Sequence, residues 1–230
     1  MKIEGLQNLT LLDYPGQVAC TLFTSGCDFR CPFCHNASLV LPGRAPAAIP
    51  EEDFFALLEK RRGVLDGVCV TGGEPTLQPD LPDFLRRVKA LGYAVKLDTN
   101  GGRPQVLRAL AEEGLVDYVA MDIKNCPDRY AETAGVPGLD LAPIRESVEF
   151  LMRGDLPFEF RTTVVRPFHD EGCFRAIGAW LAGEEPYFLQ LFQDSGDLIG
   201  GGLSAFGEEE MRGFRQILLN FIPNTALRGI

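Results

Sequence analysis

Residues 24–36 read TSGCDFRCPFCHN and contain three cysteines, Cys27, Cys31 and Cys34, in the spacing Cys-x3-Cys-x2-Cys. Three thiolates on one short loop can turn toward one point and hold an iron–sulfur cube at three corners. A cubane held only by protein needs four ligands, and no fourth cysteine stands nearby. The spacing therefore predicts a [4Fe-4S] cluster with one iron left open to another ligand.

A zinc ion, a disulfide or inert thiols would account for these cysteines less well. A Cys3His zinc site is a legitimate tetrahedral set, but His35 directly follows Cys34, and adjacent side chains rarely reach one ion. Three cysteines cannot all pair as disulfides, and nothing in the chain indicates export. Inert buried thiols are the simplest alternative, although the neighbouring Gly, Asp, Arg, Pro, His and Asn are poor core residues.

Length and charge restrict the function further. The 230 residues fit one α/β domain, which we expect to span the whole chain, with a core at about 16–193 and an extension at 194–230. A net charge of −10 argues against a nucleic-acid partner. No apolar run approaches a membrane span, and the first residues do not resemble a signal peptide, so we expect a cytoplasmic protein.

Six apolar segments read as strands, and helical patterns alternate with them. The predicted strands cover residues 18–24, 67–71, 94–97, 117–121, 158–165 and 187–192. A final amphipathic helix follows near residues 211–221. Alternation of this kind predicts a parallel α/β sheet with the polar strand ends collected at one edge. Periodicity alone does not separate a barrel from a doubly wound open sheet.

The cysteine motif, with Phe33 just before its last cysteine, resembles the signature of the radical S-adenosylmethionine (SAM) enzymes. The sequences DYPG at 13–16 and HN at 35–36 make the chain similar to the glycyl-radical-enzyme activases, most closely the anaerobic ribonucleoside-triphosphate reductase activating proteins. This resemblance runs from about Leu9 to Gln193. It implies a partial (β/α)6 TIM-like barrel, the radical SAM core, followed by a C-terminal helix.

The resemblance also implies the cofactors. SAM would chelate the open iron through its amino and carboxylate groups. A cluster of low reduction potential would then donate one electron to the sulfonium. The S–C5′ bond would break to give methionine and a 5′-deoxyadenosyl radical. In this interpretation the cofactors carry out the difficult step, and the protein supplies orientation and excludes water.

Gly72 and Gly73 end a predicted strand, where backbone without side chains can approach a ligand closely. A plain turn is the alternative. Together with Glu74 they resemble the family motif that holds the SAM amino group. Phe33 is expected beside the adenine, or otherwise in a core contact.

Two further strand ends resemble activase motifs: Asp98, Thr99 and Asn100 in one, and Asp122 and Lys124 in the other. Two carboxylates converging from neighbouring strands need a cation or a proton between them. We therefore expect a monovalent cation or Lys124 as that partner, with Lys124 also facing the SAM carboxylate. The alternatives are a helix cap for Asp98 and a surface ion pair for Asp122 and Lys124.

Arg161 lies in the middle of the fifth predicted strand, where an arginine needs an anionic partner. The SAM carboxylate is one candidate, and a salt bridge or solvent exposure is the alternative. Gln193 departs from activases that carry a histidine at the end of the last strand, which puts a cation site of that type in doubt. His169 is expected to be a solvated surface residue, and residues 195–207 a flexible linker or a lid.

The four remaining cysteines lack metal-site spacing and are expected to be structural: Cys20, Cys69, Cys126 and Cys173. Together the motifs predict a SAM-dependent activase that forms a glycyl radical on a partner, the anaerobic (class III) ribonucleotide reductase, with flavodoxin or ferredoxin as electron donor. A small-molecule enzyme similar to the deazaguanine-forming synthases is one alternative. A non-catalytic iron–sulfur or zinc module is the other.

Overall fold

The computed structural model describes residues 1–44 and 47–230, which form one sheet of eight strands arranged in sequence order. The first strand is antiparallel to the second, and every later neighbour is parallel. The strands are β1 (Ile3–Thr10), β2 (Ala19–Thr24), β3 (Gly67–Gly72), β4 (Ala94–Thr99), β5 (Tyr118–Asp122), β6 (Phe158–Val164), β7 (Tyr187–Leu191) and β8 (Thr225–Arg228).

The six predicted strands are β2 to β7, so the α/β barrel prediction is confirmed, and two strands are additional. β1 was missed because most of its side chains are exposed or half-buried, which removes the apolar pattern of a strand. β8 is four residues long, and its parallel pairing with β7 brings the C-terminal extension into the sheet. Neither β1 nor β8 could be predicted from the hydrophobic pattern of the local sequence.

Helices follow the strands and cover the apolar face of the sheet. They are α1 (Ala37–Val40), α2 (Glu51–Lys60), α3 (Leu81–Ala90), α4 (Pro104–Glu112), α5 (Tyr130–Ala134), α6 (Ala142–Arg153), α7 (Glu171–Trp180) and α8 (Glu208–Leu218). In α3, Leu81, Phe84, Leu85 and Val88 recur at helical spacing and are buried. Burying each such side chain contributes about 1.5–3 kcal/mol.

The other face of the sheet is polar. In β4 the apolar Val95 and Leu97 belong to the buried core, and they alternate with Lys96 and Asp98. Because side chains alternate across a strand, the charged residues share the face turned away from the helices. This polar face is where the cavity described below opens. Within the described part of the chain, no helix is long and apolar enough to cross a bilayer.

Candidate active site

A cavity of about 270 Å³ opens at the carboxyl edge of the parallel strands, where sites of βα barrels are built. All thirteen predicted site residues line it: Cys27, Cys31, Phe33, Cys34, Gly72, Gly73, Glu74, Asp98, Thr99, Asn100, Asp122, Lys124 and Arg161. Thr163 and Gln190 also line it and were not predicted. The fold thus collects the ends of five strands, β3 to β7, and the cysteine loop around one space.

The cysteine loop follows β2 and is fixed by backbone contacts on both sides. The Gly26 amide donates to the Leu39 carbonyl over 2.8 Å, and the Arg30 amide donates to the Ala134 carbonyl over 2.9 Å. Gly135 ends α5 at a φ of +66°, and a Cβ there would lie 2.1 Å from the Arg30 carbonyl oxygen. Only glycine fits this position, because both the backbone conformation and the contact exclude a side chain.

The three loop thiols all line the cavity. Burial raises the pKa of Cys27 to about 12 and that of Cys31 to about 11, and it raises the pKa of Cys34 as well. Among residues 1–44 and 47–230, no three Cys, His, Asp or Glu side chains converge closely enough to hold one metal ion. Zinc requires all its ligands about 2.0–2.3 Å from one centre, whereas a cube takes each thiolate at a separate iron.

The Gly72–Glu74 turn joins two strand ends. A Cβ on Gly73 would lie 1.9 Å from the Gly26 carbonyl oxygen, so the turn and the cysteine loop touch through backbone. The Glu74 carboxylate accepts four hydrogen bonds, from the Thr76 amide and hydroxyl, the Thr99 hydroxyl and the Asn100 amide. Burial raises the pKa of Glu74. Its carboxylate therefore ties the end of β3 to the end of β4, and the role in holding the SAM amino group stays a prediction.

Five charged side chains form what we call the cavity cluster: Lys96, Asp98, Asp122, Lys124 and Arg161. Arg161 bridges the two carboxylates, with Nη2 3.1 Å from Asp98 and Nε donating to Asp122 over 2.6 Å. Lys124 donates to the other oxygen of Asp122 over 2.9 Å. The salt-bridge alternative for Arg161 is thus present in the structure, and Arg161 occupies the place between the carboxylates that was expected for a monovalent cation or Lys124.

The ion pairs keep the cavity cluster charged. Burial alone raises the pKa of Asp98 and Asp122, but the neighbouring cations outweigh it and lower both pKa values below the ordinary range. Burial disfavours the charge on Lys124, yet Asp122 and Cys31 raise the pKa of its ammonium. Three cations and two carboxylates leave the cluster with a net charge of +1.

A second polar group lies in the same barrel, and we call it the sheet cluster: the buried Glu159 with the half-buried Tyr118 and Arg228. Arg228 holds the Glu159 carboxylate through two hydrogen bonds of 2.7 and 2.8 Å, and the Tyr118 hydroxyl donates to it over 3.1 Å. The Arg228 guanidinium also stacks 3.4 Å from the centre of the Phe188 ring. This cluster is electrically neutral and does not line the cavity.

The structure corrects one prediction and places two others. His169 is buried rather than solvated: its Nε2 lies 2.9 Å from the Lys124 carbonyl, and its ring stacks on Phe174. Phe33 makes the core contact, since it is 5% exposed and packs against Phe168. In the predicted linker or lid, residues 195–207, the Gly200 amide donates to the Pro32 carbonyl over 2.8 Å. This hydrogen bond holds the segment against the cysteine loop.

Lys96 is the functional candidate that sequence reasoning missed. A signal was present, because a lysine inside the apolar segment 94–97 stands two residues before Asp98 and so shares its face of the strand. Thr163 and Gln190 gave no comparable signal, since polar residues near the ends of strands are common. Their place in the cavity wall follows from the parallel pairing of β6 with β7.

Comparison with known families agrees with this geometry. The sequence profile of the radical SAM superfamily matches residues 21–177. This chain is a radical SAM enzyme. A Methanocaldococcus jannaschii protein, named among the glycyl-radical enzyme activating enzymes, is 30% identical over 236 aligned residues, 99% of this chain and 96% of the relative. The chain therefore belongs to that group of radical SAM oxidoreductases.

Two more comparisons mark the range of the superfamily. A pyruvate formate-lyase-activating enzyme of Listeria monocytogenes is 27% identical over 175 residues, 71% of this chain and 68% of the relative. The crystal structure of Streptococcus suis SuiB with its precursor peptide SuiA superposes with a TM-score of 0.71 at 15% identity. The superposition covers 91% of this chain and 48% of the SuiB chain. At this low identity, the likeness shows a shared fold and nothing more.

Membership of the superfamily implies a [4Fe-4S] cluster and SAM as cofactors. The donor set fits both groups. Three thiols at separate positions can hold three irons, and Arg161 and Lys124, which line the same cavity, can receive a carboxylate. The non-catalytic iron–sulfur or zinc module considered from the sequence does not agree with this membership.

Proposed function

We propose that this radical SAM enzyme removes a Cα hydrogen from one glycine of a partner protein, and that the partner is the anaerobic (class III) ribonucleotide reductase. The observation that carries the proposal is a single cavity whose wall combines three cluster thiols with the charged ends of β4, β5 and β6. The relative of M. jannaschii supports activation of a glycyl radical enzyme. The DYPG and HN motifs support the reductase as the partner.

When bound, the cluster and SAM supply the one-electron chemistry that abstracts hydrogen. The net reaction consumes one electron from a reduced flavodoxin or ferredoxin and one SAM. It yields methionine, 5′-deoxyadenosine carrying the glycine hydrogen, and the glycyl radical. The protein would orient the cofactors and exclude water from them, because a cavity shielded from solvent strengthens electrostatic contacts.

Each wall of the cavity has its own task in this proposal. Cys27, Cys31 and Cys34 would hold three irons and leave the fourth to SAM. Arg161 and Lys124 are hydrogen-bond donors with a fixed positive charge, and they would bind the SAM carboxylate. The turn at Gly72 and Gly73 would receive the SAM amino group, and its glycines let the turn lie against the backbone of β2 and the cysteine loop.

The partner glycine would approach along β6 and β7. Thr163 and Gln190 lie side by side on these strands, and within the described residues neither side chain takes part in a hydrogen bond. Both can therefore hydrogen-bond an incoming peptide backbone. Arrival on a loop of the partner agrees with a cavity too small to enclose a second large substrate together with SAM.

The test mixes the reconstituted enzyme, SAM, a chemical reductant and the anaerobic reductase without oxygen. We expect a glycyl doublet in the electron paramagnetic resonance spectrum and about one 5′-deoxyadenosine per radical. A reductase with its radical glycine changed to alanine is the matched control and should give no doublet. Formation of 5′-deoxyadenosine with a deazaguanine precursor, and no doublet with the reductase, would establish the small-molecule alternative instead.

A further inference from the structure

Lys96 is an unusual residue to find in the middle of a buried strand. Its side chain is 2% exposed, and Nζ makes an ion pair and a hydrogen bond with Asp98. Its only other hydrogen-bond partner among the described residues is the Cys69 thiol, 3.9 Å away. A buried lysine with one carboxylate partner is costly, because desolvation of both ions offsets much of their attraction.

The charges around Lys96 show what its ammonium changes. Arg161 and Lys124 are enough to neutralise Asp98 and Asp122, because two cations face two carboxylates. Lys96 adds a third cation to the same network. The cavity cluster is therefore neutral without Lys96 and carries +1 with it, and Lys96 lies behind Asp98, whose carboxylate lines the cavity.

Lys96 and Lys124 have different neighbours. Lys124 lines the cavity together with Cys31 and Cys34, which places that lysine on the side of the cluster thiols. Lys96 contacts Oδ1 of Asp98, whereas Arg161 contacts Oδ2 of the same carboxylate. Its effect therefore falls on the carboxylate pair and on whatever anion Arg161 receives, and not on the cysteine loop.

We propose that Lys96, paired with Asp98 beside the Arg161 bridge, supplies the positive charge that a monovalent metal ion would otherwise bring to these carboxylates, so that the SAM carboxylate binds with no added ion. This inference rests on the proposed use of the cavity for SAM. Without Lys96 the cavity cluster would be neutral and would offer the carboxylate of SAM no net attraction. With Lys96 in place, three carboxylates would face three cations.

The test measures SAM affinity by anaerobic equilibrium dialysis with the reconstituted enzyme. We expect the dissociation constant of the unmodified protein to change less than about twofold when choline replaces potassium and sodium. Lys96→Ala should weaken SAM binding at least about tenfold in choline buffer. Added potassium or ammonium should restore part of that loss in a saturable way, because an ion can occupy the space that the side chain vacates.

Charge-matched variants separate this role from a merely structural one. The double variant K96M/D98N keeps the net charge of +1 and should bind SAM more tightly than K96M, whose cluster is neutral. Lys60→Ala, an exposed lysine on α2, is the control for handling and should match the unmodified protein. Iron content should remain at four per chain in K96M, because the cysteine loop is untouched.

Three results would overturn the inference: a potassium requirement in the unmodified protein, unchanged SAM affinity in Lys96→Ala, or equal affinity of K96M and the double variant. If Lys96→Ala or K96M loses iron or fails to fold, the lysine is structural and the inference also fails. None of these results bears on the glycyl radical assay. A missing glycyl doublet with normal SAM binding would contradict the proposed function and leave the inference about Lys96 standing.

Discussion

The cavity cluster and the sheet cluster are both built from buried ions on neighbouring strands of one barrel, yet they differ in charge balance. In the sheet cluster, Arg228 and Glu159 form a bidentate pair with no charge left over. In the cavity cluster, three cations share two carboxylates, and four of these five side chains, all but Lys96, line the cavity. The sheet cluster is satisfied within the protein, whereas the cavity cluster has capacity for one more anion.

This difference separates structural from functional ions without reference to motifs. A buried pair that is balanced needs nothing else, and its removal should cost stability alone. A buried network with surplus charge carries a desolvation cost that only a ligand can recover. Two changes with large expected effects test this contrast directly, and two with smaller effects test the packing around the cavity.

Removing the iron–sulfur cluster should abolish SAM cleavage in the cavity and leave the sheet cluster intact. We expect Cys31→Ala to lose at least about three of the four irons of a [4Fe-4S] cube and all SAM cleavage. The matched control is Cys20→Ala, a buried core thiol of β2 that should keep its iron. Iron and sulfide analysis after anaerobic reconstitution checks both variants, and equal iron in both would contradict the assignment of the loop.

Arginine removal compares the two clusters directly. Arg161→Met should weaken SAM binding at least about a hundredfold, because two carboxylates then face the ligand without their bridge; this equals a loss of about 2.7 kcal/mol or more. Arg228→Met should destabilise folding by about 2–3 kcal/mol, below the usual cost of breaking a fully buried pair, because Arg228 is one-third exposed.

SAM affinity by dialysis and urea unfolding of the cluster-free protein measure the two effects. We expect Arg228→Met to retain the SAM affinity of the unmodified enzyme. If Arg228→Met loses SAM binding while its iron content is normal, the two clusters act as one network and the contrast between them disappears.

The buried His169 predicts how stability depends on pH next to the cavity cluster. Burial lowers the pKa of His169 from 6.5 to about 4, so the unfolded chain binds more protons between these values. Stability should therefore fall as pH drops from about 6.5 toward 4, by up to about 3 kcal/mol from this group. His169→Gln should flatten that part of the urea-derived profile, whereas His35→Gln, a change at an exposed histidine, should change it less.

The smallest effect concerns the segment fastened over the cysteine loop. A Cβ at Gly200 would lie 2.7 Å from the Cβ of Pro32, whereas a Cβ at Gly201 would meet nothing within 4 Å. Gly200→Ala should destabilise the protein by about 1 kcal/mol through overpacking, and Gly201→Ala should not. Thermal unfolding compares the melting temperatures of the two variants. Equal melting temperatures would show that the segment 195–207 is not held against Pro32.

Much of the fold and of the candidate site could be predicted from the sequence. The segments of β2 to β7 are apolar and end in polar or glycine residues, which predicted both the parallel strands and the edge where the site lies. The short β8 and the exposed β1 could not be predicted, because their pairing depends on distant strands. His169 was placed wrongly, since a lone histidine in a loop carries no local sign of burial.

The sequence by itself determined the chemistry of this protein: three cysteines at fixed spacing, and motifs at strand ends that parallel strands must bring to one edge. The tertiary structure alone decided how the charges are shared, with Arg161 between two carboxylates and Lys96 behind Asp98. The reason is that spacing along the chain fixes which residues share a face. Which ions pair across neighbouring strands depends on register, side-chain length and burial, and these exist only once the sheet has closed.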